Sequence, residues 1–446
     1  MNQKTRRKSL AALLLIALLI LTGCTNGQQT NAGTQTAQQQ AKFEPKLDTK
    51  ASVHIEVGVF FGNFEAFDQV INHFNEYYPN VEITYEAISN AKLTEYMNNN
   101  KNVDIIMVDT PNIRYQNWVG YYICDRLENL SATDIDFSDV EDGMLTKYTV
   151  DGKVMALPMS LKLYGLAVNQ TLLETEGLKI PQTWEEFLSV CEALKQKGYT
   201  PIQGPDTTLF NEDLMKSLLL TTLSSDAALL DALNKGEDSA VQQLTFIFDR
   251  LHQLYAKGYI NPEVNATYPA NNYDGAIMNF LEGKVPFWVC DTEKVSGMKK
   301  RESKSEAFSA HPFTYTFVYA PTGDNGVSKY VESWYGFAVS KDSAVKDYAL
   351  ELLRFMARHD ELNTLASVKG VPSITKSSDD TRYASLANVT KVDKVYFADG
   401  SLESYLGARL GECGKAMVTE NLTPAEAAAR FVQQCSEIYL QDHPQE

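Results

Sequence analysis

The chain has 446 residues and a formal net charge of −17, long enough for a large core and more than one domain. Without the first 23 residues, which carry Lys4, Arg6, Arg7 and Lys8 and no acid, the balance is 36 basic against 57 acidic side chains, or −21. A surface that acidic repels nucleic acid and anionic lipid and excludes both as electrostatic partners, while leaving a neutral ligand open.

The basic start leads into an unbroken apolar run, Leu10–Leu21. It is shorter than the ~20 residues of a membrane span and suits the core of a signal peptide. The run ends Leu21-Thr22-Gly23-Cys24. This resembles the bacterial lipobox, which implies residues 1–23 as a lipoprotein signal and Cys24 as the lipidated first residue of the mature chain. Thr25–Lys50 is rich in Gln, Asn, Thr, Ala and Gly, so residues 24–50 are expected to be a disordered tether that buries too little to offset chain entropy. Five further cysteines (Cys124, Cys191, Cys290, Cys413 and Cys435) show no metal-like spacing. Their odd number leaves at least one free, and neither a disulfide framework nor a structural metal is expected.

From Val53 onward, strand and helix patterns alternate. Val53–Phe60 reads as a strand, and Phe64–Tyr78 carries Phe67, Val70, Ile71, Phe74 and Tyr77 at helical spacing. Val81–Ala87 is a strand, Leu93–Met97 a short helix, and Val103–Val108 a buried strand. This order predicts a mainly parallel sheet with flanking helices. Asp125–Met144 reads as short helices and loops. Asp151-Gly152 suits a hairpin turn; Lys153–Leu157 is a strand ended by Pro158, and Leu163–Val168 is another. Asn169 and Thr183 stand where helix caps belong, the latter with Glu186 as its capping-box partner.

The composite Gly152, Ala156-Leu157-Pro158, Asn169, Leu172-Leu173, Gly177-Leu178, Pro181 and Thr183-Trp184-Glu185-Glu186 resembles the extracellular solute-binding proteins that feed carbohydrate ABC transporters. FNEYYPNVEI and VDIIMVD resemble the same family's first helix–strand junction and next core strand. The resemblance runs from Val53 to the C-terminus. It implies an α/β fold of two lobes, each a central sheet flanked by helices, joined by hinge crossings at Ser160–Leu163 and Ala320–Gly323. The lobes would comprise residues 51–160 with 321–365, and 161–320 with 366–446.

Downstream, helices are expected over Trp184–Lys197, Asp213–Leu223, Ala240–Lys257, Asn272–Leu281 and Ser343–Arg358, and a last helix is capped at Thr423-Pro424-Ala425-Glu426. Strands are expected at Phe313–Tyr319 and Trp334–Val339. In Gly283–Val289, Pro286 points to an edge strand.

Ligands of open α/β sheets bind beyond strand ends, and a sugar needs an aromatic plane for its C–H face and amide or carboxylate groups for its hydroxyls. Residues so placed are Phe60, Phe61 and Asn63; Asp109, Asn112 and Tyr115; Ser160, Lys162 and Tyr164; Asn211; Trp288 and Asp291; and Glu332, Trp334 and Tyr335. Each has an ordinary alternative: the aromatics as core, Asp109 and Asn211 as caps. Lys162 is unusual for a buried strand unless it has a partner. Trp184 is expected to pack at its helix start.

No G-x-S-x-G elbow, P-loop or H-E-x-x-H occurs, and the six histidines do not pair at ligand spacing. The chain is therefore read as a binding protein without cofactor, not an enzyme. A glycoside hydrolase using two cleft carboxylates such as Asp109 and Asp291 is the alternative, as is a signalling or adhesion lipoprotein binding another polar solute. The resemblance implies a carbohydrate ligand, ABC-transporter permease subunits as partners, a lipid anchor at the outer face of the cell membrane, and a monomer.

Overall fold

The computed structural model of the chain describes residues 42–88, 103–108, 123–141, 143–204, 207–261, 273–377, 381–397, 402 and 405–442. Cys24, the helix expected at Leu93–Met97, and Asp109, Asn112 and Tyr115 lie outside the described residues. In chain order the strands begin with β1 (Val53–Val59), β2 (Val81–Ala87), β3 (Ile105–Val108), β4 (Thr149–Val150), β5 (Lys153–Val154) and β6 (Leu157–Pro158). They continue with β7 (Leu161–Asn169), β8 (Ile202–Gln203), β9 (Ile260–Asn261), β10 (Phe287–Asp291), β11 (Tyr315–Tyr319), β12 (Val327–Ser333), β13 (Gly336–Val339) and β14 (Val392–Phe397).

The first sheet is ordered β2-β1-β3-β13-β6. β1 lies parallel to β2 and β3. The helix Glu65–Asn75 buries Phe67, Val70 and Phe74, as the spacing predicts. Each such side chain contributes roughly 1.5–3 kcal/mol. The parallel pattern stops at β3: β13 runs antiparallel to both β3 and β6. β13 and β6 connect directly to the second sheet, so no crossover helix imposes a parallel return. At Asp151 (φ 50°) and Gly152 (φ 75°) both turn residues take positive φ and close the β4–β5 hairpin expected there.

The second sheet is ordered β14-β12-β7-β10-β8-β9, with β11 also paired to β7. β7 is its spine: β10 runs along one edge, and β11 and β12 share the other. Gly165 lies at the centre of β7, where a Cβ would collide with the Val318 carbonyl oxygen. β10 is interior rather than the edge strand that Pro286 suggested, because Pro286 falls just before the strand. Its carbonyl accepts from Asn169 N at 2.8 Å, and the first ladder donor is Phe287 N. Asn169 and Thr183 cap their helices as expected, accepting from Leu172 N and Glu186 N. A second apolar core gathers the helices Thr207–Ser224, Asp238–Ala256, Tyr405–Thr419 and Pro424–Asp442 against this sheet. Cys191, Cys290, Cys413 and Cys435 are free thiols buried in the two main cores.

Two direct strand-to-strand connections join the sheets, besides the longer return of the chain from β13 to β14. Met159–Ser160 leads from β6 to β7, and Trp334–Tyr335 leads from β12 to β13. They run side by side and bond to one another, Met159 N to Tyr335 O at 3.1 Å and Trp334 N to Ser160 O at 2.9 Å. Ala320–Gly323, expected as the second crossing, instead links β11 and β12, which both pair with β7. The crossing was expected ahead of β12, which is missing from the expected elements, whereas the return strand expected at Trp334–Val339 is present as β13.

Candidate functional site

Sequence-predicted residues from three separate stretches meet where the two crossings run together. Beyond β1, Phe60 is 40% exposed and Asn63 is exposed, while Phe61 turns back onto the crossing. The Phe61 ring meets Trp334 edge-on at 5.4 Å and Tyr335 at 5.7 Å. Trp334 and Phe61 are both half-buried, so their remaining surface forms a small aromatic platform. Tyr335 lies wholly beneath it; its hydroxyl faces Ser160, and neither that hydroxyl nor Ser160 Oγ completes a hydrogen bond to the protein.

Behind the platform is a network of ions. Glu332 accepts from the Tyr164 hydroxyl at 2.9 Å and the Tyr330 hydroxyl at 2.8 Å. Lys147, which also donates to the Ser333 carbonyl, lies 3.5 Å from the same carboxylate. Lys216 stacks 4.8 Å from the Tyr164 ring and pairs with Glu212. On the neighbouring strand Asp291 holds Lys294 at 3.1 Å and Lys162 at 3.7 Å, and Lys294 reaches Asp213 at 2.9 Å. Lys162 thus has the partner that a buried lysine requires. Each of the four lysines faces a carboxylate.

Burial alone would raise the Glu332 pKa; Lys147, Lys216 and Lys162, with the Tyr330 hydroxyl, outweigh it and hold the carboxyl at about 2. Burial raises Asp213, only partly offset by Lys294. Asp291 is lowered despite burial, because Lys294 and Lys162 flank it. The Tyr164 hydroxyl is pushed well up by burial and then by Glu332.

Three expected contacts are core residues instead. Trp288 is 1% exposed and packs on Phe280, since its place in β10 sends it into the first core. Tyr335 is 0% exposed under the platform. Asn211 does not open a helix but lies within Thr207–Ser224, fully buried, accepting from the Tyr255 hydroxyl at 2.9 Å. Asp291 is bound by the protein itself: it caps the helix Thr292–Arg301 through Lys294 N at 2.9 Å besides its two lysines. Lys147, Asp213, Lys216, Lys294 and Tyr330 were not singled out from sequence. Only Lys216 gives a signal, as the one cation of its helix, between Met215 and Leu218–Leu220.

The sequence model of the bacterial extracellular solute-binding proteins matches residues 69–391. The chain belongs to that family. Among curated relatives, this solute-binding protein is 24% identical over 304 residues to the multiple sugar-binding protein of Streptococcus mutans, covering 66% of this chain and 68% of the relative. The sugar-binding protein MalE from Xanthomonas citri superposes with a TM-score of 0.70 at 17% identity, over 88% of this chain and 100% of that one. A sugar transporter from Bacillus licheniformis, solved in complex with stachyose, superposes at 0.63 with 18% identity, over 86% of this chain and 100% of the other. These neighbours share the two-lobed α/β fold. No helix among the described residues of the solute-binding protein is long and apolar enough to cross a membrane.

Proposed function

We propose that this solute-binding protein captures a carbohydrate, an oligosaccharide, between two lobes and delivers it to the permease of an ABC transporter. The observation that carries this reading is the half-exposed platform of Phe61 and Trp334 set directly on the paired crossings. One aromatic face packs the C–H side of a sugar ring, and polar groups around it meet the hydroxyls. The sugar-binding relatives support the same solute class. In this reading the first lobe is built on the sheet β2-β1-β3-β13-β6 and the second on the sheet of β7–β12 and β14. Phe60, Phe61, Asn63 and Trp334 contact the solute from the first lobe and the crossing. Lys162, Tyr164 and Glu332 form the rigid floor behind it. Nothing is turned over: Asp291, locked by a helix cap and two lysines, is poorly placed to act as an acid or base. Differential affinity for the closed arrangement shifts the hinge equilibrium, and the permease reads that shape. A lipid on Cys24 holds the receptor at the outer face of the membrane, where it acts as a monomer; the tether is shorter than the expected 24–50, because Phe43 is 5% exposed in the core and Lys46 N donates to Glu351 at 2.9 Å.

Calorimetric titration of the purified chain with stachyose, raffinose and maltotetraose tests the reading, with amino acids and peptides as controls. Binding of one sugar with no released product on chromatography is the expected result. Solute at ~100 times its dissociation constant should also add roughly 2.7 kcal/mol of stability. Binding only to the amino-acid or peptide controls would overturn the carbohydrate assignment; released product would replace the receptor with an enzyme.

A further inference from the structure

The turn expected as a second crossing, between β11 and β12, is instead tied down on three sides. Arg250, 6% exposed in the helix Asp238–Ala256, donates to the Thr322 carbonyl and pairs with Asp324. Its guanidinium lies 5.5 Å from the Trp184 ring and 5.3 Å from that of Phe246. Trp184 N, at a helix start, donates to the Gly323 carbonyl at 3.1 Å, and Val327 N donates to the Lys391 carbonyl, just ahead of β14, at 3.0 Å. Two glycines let the turn lie this close. A Cβ on Gly326 would stand 2.5 Å from the Lys391 carbonyl oxygen, and one on Gly323 would stand 2.7 Å from the Gly326 carbonyl oxygen and 2.8 Å from the Asp393 carboxylate.

Between these ties Asp324 and Asn325 are exposed, while Gly326 is buried. Among the described residues the Asn325 amide makes no hydrogen bond, and the Gly326 N–H makes none either. An asparagine in that state is an electrophile beside a free nucleophile: its Cγ is within reach of the next backbone nitrogen, and glycine puts no side chain in the way. Asn129, Asn169 and Asn211 differ on both counts. Each has its side-chain oxygen in a hydrogen bond, and each precedes a residue with a long side chain.

We propose that Asn325 is a modification site, a centre of spontaneous deamidation at which Gly326 supplies the nucleophile and water the oxygen. The Gly326 nitrogen loses its proton to solvent base and bonds to Asn325 Cγ. The Cγ–Nδ2 bond breaks, and ammonia leaves with a proton taken from solvent. Water then adds to one carbonyl of the five-membered imide and cleaves one of its two C–N bonds, which leaves aspartate or isoaspartate at position 325. Nothing is oxidised or reduced. Aspartate keeps the backbone and adds a charge beside Asp324. Isoaspartate routes the main chain through Cγ and lengthens it by one atom ahead of Gly326. The turn has no slack for that atom, because Asp324 is held by Arg250 and Gly326 lies against the Lys391 carbonyl. The lengthened chain pulls Val327 N off that carbonyl and unfastens the start of β14 from β12.

The experiment ages the full chain at mildly acid and mildly alkaline pH until Asn26, in the only other Asn-Gly pair of the sequence, has converted. Peptide mass spectrometry then reads the amide-to-acid exchange at each pair, and an isoaspartyl methyltransferase labels the isoaspartate. The expected result is exchange at Asn325 that speeds up about tenfold per pH unit, as for any nitrogen deprotonated far below its pKa. The isoaspartyl fraction, separated by ion exchange, should melt about 2 °C or more below the fresh chain. The variant Asn325→Asp, which has the charge without the extra atom, should melt with the parent. An intact Asn325 in a sample whose Asn26 has converted overturns the modification site. Isoaspartate at an unchanged midpoint overturns the unfastening of β14. A fresh Asn325→Asp chain that melts as low as the aged one overturns the lengthened backbone as the cause.

Discussion

At the scale of single residues, exposure separates side chains that look alike in sequence. Trp288 and Trp334 are both read from sequence as solute contacts, yet the first is 1% exposed in the core and the second offers part of its ring at the crossing. Trp334→Ala should therefore weaken solute binding by about 2 kcal/mol or more, the scale of an aromatic anchor. The urea unfolding midpoint should move far less than it does in Trp288→Ala, where a core cavity opens. Calorimetry beside urea titration of the two variants checks this. Glu332 makes a prediction of opposite kind. Its folded pKa of about 2 lies below the ordinary glutamate value. The carboxylate's stabilisation is thus fully present above ~4.5 and is lost as pH falls from there toward 2, about 3 kcal/mol at most. Unfolding free energy measured from pH 6 to 2.5 should decline over that window, and the decline should be shallower in Glu332→Gln. An equal slope in both would show that the lysines around Glu332 do not hold its charge.

At the scale of elements, the fold was legible wherever local pattern and tertiary packing agree. The 3.6-residue spacing of Phe67, Val70 and Phe74, the caps at Asn169 and Thr183, and the Asp151-Gly152 turn all stand as read, because each is decided within a few residues of chain. β12 was missed because its sequence, Val327–Ser333, mixes Lys329 and Glu332 with apolar residues and becomes a strand only by lying between β7 and β14. The site was legible in part for the same reason. Lys162 announces a missing partner, but nothing nearby in the chain says that the partner is Asp291. Gly165 carries the element-scale prediction. β7 holds three neighbours at once, and a methyl there strikes the Val318 carbonyl. Gly165→Ala should cost about 3 kcal/mol or more, read from the urea midpoint, whereas a central glycine that only loosened the strand would give a gain on substitution.

At the scale of the whole molecule, the chain is one compact body from Lys42 onward, with its two sheets joined through the paired crossings. The lipid anchor proposed at Cys24 places a cellular test at this scale: Cys24→Ser should move the chain from the membrane fraction to the soluble fraction without changing its solute affinity. Retention in the membrane would point to the apolar Leu10–Leu21 run as the anchor instead. The crossings themselves have a mechanical consequence. Because Met159 and Tyr335, and Trp334 and Ser160, are bonded as a short two-stranded ribbon, the sheets cannot slide past one another without breaking it. The soft motion left to them is torsion, with the ribbon as the axle. Trp334 belongs to that axle and to the platform alike, so on the proposed reading a guest resting on the indole would load the shaft itself rather than a distant rim.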